Sequence, residues 1–460
     1  MEKNGIHEEM RAVTKFLANY AATLMGVGVQ SSRILLNTER MARALGYTTD
    51  IVLFQKTLSI TLHSKDGAHN YTSVKVIPSM ALNFKINMKL SRLSWEALDN
   101  HLSLPEIKKR YSAIVGEKRE SPWTVLILVS FANACFCRLF DGNLTSMIIV
   151  WIATFIGFFI RQQLTKRGML PLAVFAICSF VSTMIGASDY LFFHGGTEDM
   201  SLGTSMLYLV PGVPLINGVM DIIDHHVLNG ISRLSNACLL VISMTIGLML
   251  TLLVTGIDVT TFTHVVRPNL WLASIADGLF AAVAGTGFAI ISNPPRKALV
   301  ISAFLACVGH GIRYFLMHNS EIMMDQASAS TIAAFAIGML AIYFGKHIHC
   351  PSECFAFPSL LPMVPGMFAY KSVIALMKIV SSPESNTMEY VSMFFHNSML
   401  TILVMFGMVV GCVIPIFIFY RESFSVTRMN ADGNHSSRLS AQNIKHMLAS
   451  RKIILNLQHK

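Results

Sequence analysis

The sequence predicts a mainly α-helical polytopic membrane protein, with about ten transmembrane helices in two sets of five and a small N-terminal α+β cytoplasmic domain. Three observations carry that expectation. Of 460 residues, 53% are hydrophobic and 13% charged, against ~25% charged in a typical soluble domain. From Trp123 onward the apolar residues gather into runs of roughly 17–25, the length that spans ~30 Å of hydrocarbon. Two of these runs, one in each half, are interrupted by Val-Pro-Gly.

Residues 1–121 read as soluble. An amphipathic helix from Glu8 to Met25 places Val13, Phe16, Leu17, Tyr20 and Leu24 on one face. Gly26 and Gly28 loosen the chain before a second helix, Ser31–Leu45, which stops at Gly46. Ile51–Leu62 reads as a strand, Lys65-Asp-Gly67 as a turn and Tyr71–Ile77 as a second strand. Lys89–Leu98 is helical, and Pro105–Lys118 leads to the bilayer. No GxGxxG, P-loop or triad spacing occurs, so the domain carries no enzymatic signal and direct ATP coupling is disfavoured. The polar start, Met1 to Lys15, argues against a cleaved signal peptide.

The predicted spans of the first set, within residues 122–256, are Trp123–Cys137, Leu144–Ile160, Met169–Ala187, the broken Ser201–Ile223, and Leu234–Gly256. Those of the second, within 257–420, are Leu270–Ile291, Lys297–Met317, Ala327–Gly345, the broken Phe355–Lys378, and Met393–Tyr420. Gly157-Phe-Phe-Ile160 precedes Lys166-Arg167 as Gly287-Phe-Ala-Ile290 precedes Arg296-Lys297, a trace of parallel repetition. The remainder, 421–460, is a basic cytoplasmic tail in which Ile444, Met447, Leu448, Ile454 and Leu455 suit one face of a membrane-surface helix.

Charge sets the orientation. Arg161, Lys166, Arg167, Arg233, Arg296, Lys297 and Lys346 fall in alternate loops, and Asp141, Asp189, Glu198, Asp199, Asp258, Glu321, Asp325, Glu384 and Glu389 in the others. By the positive-inside rule both termini are cytoplasmic. The net charge of +10 is then membrane flanking, not a nucleic-acid site, because no basic stretch has aromatic interleaving. Five of the eight cysteines lie in apolar runs, so no disulfide framework is implied. His347, His349, Cys350 and Cys354 sit together, but their spacing fits no standard zinc pattern and no metal or cofactor is assigned.

Candidate functional residues come from two features. A broken membrane helix survives only against protein or a wet cavity, and transporters place solute at such breaks. That selects Pro211, Gly212, Asn217 and Asp221 in the first break, and Pro365, Gly366, Tyr370 and Lys371 in the second. Ionisable residues inside spans are functional candidates by default. Asp277 lies about seven residues, or ~10 Å, below the outer end of its span; Lys371 sits at a similar depth, and His310 and Arg313 lie on the span between. Asp277, Asp221 and His310 suit proton coupling, while Lys371 and Arg313 add positive charge to a substrate pathway. An Asp277–Lys371 or Asp277–Arg313 pair that only locks helices is the structural alternative.

Around Pro211-Gly-Val-Pro-Leu-Ile-Asn-Gly-Val-Met-Asp221 the sequence resembles the threonine/serine exporter family, as do Ser32-Arg33, Arg40 and Ala44-Leu-Gly46. Asn293-Pro-Pro-Arg296, Gly309-His-Gly-Ile-Arg313 and Pro362-Met-Val-Pro-Gly366 are similar to the family's small partner subunit, so the two halves look fused. The resemblance implies a secondary transporter exporting small carboxylate-bearing metabolites, either threonine and serine or a dicarboxylate such as succinate, with protons as coupling partner and the bilayer as solvent. A channel or a sensor-like receptor with a cytoplasmic regulatory domain is the alternative, and a homo-oligomer is compatible with either.

Overall fold

The computed structural model describes residues 2–78, 80–257, 259, 269–381, 387–419 and 425–428. The first helix, α1 (Glu2–Gly26), begins six positions before Glu8 and buries its predicted face, Val13, Phe16, Leu17, Tyr20 and Leu24. Gly28 adopts φ +89°, a left-handed backbone open to glycine, and turns the chain into α2 (Ser31–Ala44). Next come β1 (Thr48–Leu53), β2 (Thr57–His63) and β3 (Asn70–Val76), an antiparallel sheet in that order.

The expected single strand over 51–62 is therefore a hairpin, with Leu53 paired to Leu58. Its connection, Phe54-Gln55-Lys56, contains none of the Gly, Asn, Asp or Pro residues that announce a turn. Leu58, Ile60 and Leu62 alternate inward along β2. Then α3 (Phe84–Asp99), capped by the Asn83 side chain, and α4 (Leu104–Val115) close a core of their own with α1 and α2.

The remaining helices are α5 (Pro122–Leu139), α6 (Leu144–Lys166), α7 (Pro171–Gly186), α8 (Glu198–Thr204), α9 (Gly212–Ile223), α10 (Val227–Thr255), α11 (Leu270–Ile291), α12 (Arg296–His318), α13 (Gln326–Ile348), α14 (Glu353–Leu360), α15 (Gly366–Ser381) and α16 (Thr387–Ile418). Among the described residues eight helices are long and apolar enough to cross a bilayer. Two pairs, bent by 64° at 209–212 and 46° at 363–366, raise the number to ten if each is one span. Prolines at the first helical turn start α5 and α7, where a missing N–H is harmless. Two boundaries move in a way that matters: α6 runs on past Ile160, and α10 starts at Val227, so Arg161 and Arg233 lie inside helices and not in loops.

The packing runs α5 on α6 and α11, α6 on α7, α7 and α9 on α10, α11 on α12, α12 on α13 and α14, and α13 and α15 on α16. Small residues allow the closest approaches. A Cβ on Gly287 would lie 2.4 Å from the Leu128 carbonyl oxygen of α5, and one on Gly247 2.4 Å from the Ala176 carbonyl oxygen of α7. The trace of parallel repetition does not carry into the packing: Gly157 faces Ser182 and Tyr208, whereas Gly287 faces Leu128 and Ala132.

The N-terminal domain is docked firmly at one end of the helices. Asn293, in the left-handed region at φ +45°, donates from Nδ2 to Asn83 Oδ1 (2.9 Å) and accepts from the Glu120 N–H (3.1 Å). The amides of Phe84 and Lys85 donate to the Ser292 and Asn293 carbonyls. After α16 the chain returns to the same domain, where Arg428 pairs with Asp99 at 2.6 Å. Arg428 and Arg40 both lie over the Trp95 ring, at 4.9 and 3.6 Å. Burial, with Arg33 and Arg428 close by, pushes the Arg40 guanidinium down to about 9. The predicted tail helix over 444–455 lies outside the described residues.

Candidate functional site

Both breaks have the same local construction. A single tight turn, Leu207–Leu209 in one and Leu361–Met363 in the other, leads to a valine held extended by the proline after it. The Val210 and Val364 amides donate back to Leu207 and Leu361 carbonyls at 3.1 Å, and the Gly212 and Gly366 amides donate to the valine carbonyls at 2.9 and 2.8 Å. A new helix then starts with Leu215 bonded to Pro211 and Ala369 to Pro365, both 3.1 Å. The breaks interlock closely at these glycines. A Cβ on Gly212 would lie 2.2 Å from Leu361 Cδ2, and one on Gly366 3.0 Å from Leu207 Cδ2.

Between the breaks lies a cavity of about 390 Å³. Leu207 to Pro214 form one wall, and Leu361, Val364 and Gly366 the other. Met80, Ala81 and Leu82 of the N-terminal domain close it on the domain side, and aromatic rings of Phe136, Phe175 and Phe288 fill the rest. Arg161 is the one charged side chain in this lining among the described residues.

Four ionic groups surround the broken helices. At the domain end, Asp221 of α9 accepts from the Ser31 amide and hydroxyl, both 3.0 Å, and pairs with Arg233 at 3.2 Å. Beside it, Glu353 of α14 accepts from Arg33 (2.7 and 3.0 Å) and from Gln30 (3.1 Å). The link between α1 and α2 thus seats on both broken helices at once. Farther in, His310 Nδ1 meets Asp277 at 2.5 Å, Arg313 meets His310 Nε2 at 2.8 Å, and Arg313 donates to the Met363 carbonyl in the second break at 3.3 Å. Toward the other end, Lys371 of α15 has Asp199 of α8 as its charged neighbour.

Residues 15–255 match the family described as "Putative threonine/serine exporter", and residues 277–418 match "Threonine/Serine exporter, ThrE". The chain belongs to the threonine/serine exporter family. This exporter is also 30% identical over 250 residues to a "Probable succinate transporter subunit YjjP" of Klebsiella aerogenes, covering 54% of the chain and 96% of that protein. The protein of the same description from Escherichia coli K12 is 28% identical over 251 residues, 54% of the chain and 97% of the relative. No solved structure matches.

The exporter is a multi-pass membrane protein of a transporter family, and its cavity gathers only part of the predicted set. Pro211, Gly212 and Gly366 line it. Pro365 sits behind the turn, and Tyr370 is buried against Gly203 of α8. Asn217 donates to the Gly28 carbonyl at 2.9 Å, and Asp221 is held by Ser31 and Arg233, so both contact the N-terminal domain. Asp277, His310 and Arg313 come together as their shared depth suggested, but Lys371 faces Asp199 instead of joining them. Among the described residues no group of three or more His, Cys, Asp or Glu side chains could hold a metal ion. Sequence reading missed Arg161, whose position one residue past an apolar run looked like an ordinary membrane flank.

Proposed function

We propose that this chain is a secondary exporter of small carboxylate-bearing metabolites, threonine and serine or a dicarboxylate such as succinate, coupled to protons. The cavity bounded by both breaks carries the reading, since broken helices with backbone and one cation facing a shared cavity are how carriers hold a solute. The relatives described as succinate transporter subunits span about half of this chain, which supports one polypeptide combining two functional parts.

In this reading a cytoplasmic domain spans 1–121, five spans lie in 122–256, five in 257–420 and a basic tail covers 421–460, in the cytoplasmic (inner) membrane with both termini inside. The order of helix neighbours supports it: α5, α6, α7, the pair α8–α9 and α10 pack in the sequence in which α11, α12, α13, the pair α14–α15 and α16 do. An odd number of spans in each set would invert the second relative to the first. The C-terminal end of α9 and the N-terminal end of α14 both meet the first turn of α2, which agrees with that inversion. Within this scheme Asp277 and His310 carry the coupling proton, with Arg313 tying them to the second break. Asp221, Asn217, Tyr370 and Lys371 then guard the two ends of the pathway.

The test is efflux from proteoliposomes loaded with succinate or threonine, with and without a proton gradient. Gradient-dependent release by the wild-type chain is expected. Release that follows only the solute gradient at channel-like rates would support a channel, and absence of release of both solutes would refute the exporter reading.

A further inference from the structure

We propose that Arg161 is the carboxylate anchor of the central cavity and that the cavity selects organic anions over zwitterionic amino acids. The inference rests on the exporter reading above and names the class of solute for it. Arg161 lies on α6 one helical turn after Gly157, with its guanidinium 5.5 Å from the Phe158 ring and 5.1 Å from the Phe175 ring. Aromatic faces hold a cation in place without neutralising it. Among the described residues no acid is paired with Arg161 and no Asp or Glu lines the cavity. Arg161 is half-buried, and the buried arginines of the membrane helices have committed partners: Arg233 has Asp221, and Arg313 has His310 and a peptide carbonyl.

A half-buried arginine among apolar and aromatic side chains, with no counter-ion of its own, gains most from one that arrives with the ligand. Its planar fork of N–H groups matches a carboxylate bidentately, which a lysine or a polar neutral group cannot reproduce. The neighbourhood is built to hold that fork. The Tyr208 hydroxyl reaches α6 at Gly157, where an added Cβ would lie 2.2 Å away, and it is fixed by Ser182 at 3.0 Å. The same lining offers the Ser292 hydroxyl and the start of α9, where the Val213 amide has no backbone acceptor among the described residues.

An amino acid brings an ammonium as well as a carboxylate. With no acid in the lining, that ammonium meets only neutral groups (peptide carbonyls, the Tyr208 and Ser292 hydroxyls and aromatic faces) beside a fixed cation, and desolvating it there opposes binding. A dicarboxylate or hydroxy acid carries no such group. The positive wall therefore favours the anion twice, by attracting it and by leaving the zwitterion's cation poorly matched.

The full chain in nanodiscs would be titrated calorimetrically with succinate, threonine and neutral succinamide, for wild type, Arg161→Gln and Arg161→Lys. Wild type should bind succinate at least tenfold more tightly than threonine. Arg161→Gln should lose at least thirtyfold in succinate affinity with succinamide unchanged, and Arg161→Lys should recover part of the loss. Succinate affinity within threefold of wild type in Arg161→Gln overturns the anchor, and equal binding of threonine and succinate by wild type overturns the selection. If Arg161→Gln does not purify, Arg161→Lys decides: at least a fivefold loss for succinate is expected, and unchanged affinity overturns the anchor. Efflux of threonine that is indifferent to Arg161 would defeat this inference and leave the exporter reading standing, whereas a wild-type chain that binds and releases neither solute defeats both.

Discussion

Replacing Arg33 by methionine should release the link between α1 and α2 from the two broken helices. The pair it forms with Glu353 is almost wholly enclosed, with side-chain exposures of 1% and 5%. Two of its guanidinium nitrogens converge on one carboxylate oxygen at 2.7 and 3.0 Å, with Gln30 adding a third donor at 3.1 Å. Removing one partner of such a pair typically costs about 3–5 kcal/mol, because the other charge is left buried and unmatched. At ~1.4 kcal/mol per decade, that raises local opening of the link by roughly 10²–10⁴-fold. Replacing both Arg33 and Glu353 by methionine removes the stranded charge, so the double variant should return to within about tenfold of wild type. Hydrogen exchange of peptides covering residues 27–33, in the lipid-embedded full chain, reads this opening directly. Exchange in Arg33→Met within threefold of wild type, or a double variant no better than the single, would refute the argument that the pair holds the domain on the helices.

Asp277→Asn should abolish gradient-driven efflux while leaving the protein folded, since asparagine can still bond to His310; undiminished proton-dependent efflux in this variant would end the proton-carrier role. Gly287→Ala should lower thermal stability by about 1–3 kcal/mol, because the new methyl meets the Leu128 backbone, which cannot swing aside; an unchanged melting temperature contradicts the close α5–α11 contact. Tags at the N terminus, the C terminus and the loop at Arg167 should be reachable only from the cytoplasm, and one at Glu198 only from outside. A C-terminal tag labelled from outside reverses the assigned topology.

The long apolar runs and the two Val-Pro-Gly interruptions were legible because lipid punishes polar backbone and proline has a fixed local effect. The pairing of Asp277 with His310 was half legible. His310 and Arg313 share a helix face by spacing alone, but which acid faced them depended on how α11 meets α12. Lys371 illustrates the limit, since depth in the membrane placed it near Asp277 while the packing of α8 on α15 gave it Asp199. The β1–β2 hairpin was illegible for want of turn residues, and Arg161 because a cation just past an apolar run reads the same whether it meets headgroups or a cavity. Docking of the domain through Asn293 and the Ser31–Arg33 stretch is tertiary information that no window of sequence holds.

The α1–α2 link reaches only one end of the paired broken helices, and that has a thermodynamic meaning. Two halves that were interchangeable would rest equally well with either mouth shut, and such a machine would idle midway between its two poses. Here Ser31 and Arg33 fasten Asp221 and Glu353 on a single side. In a carrier that alternates between two poses, those contacts would weight the one in which the domain is seated, and loosening the domain would remove that weight.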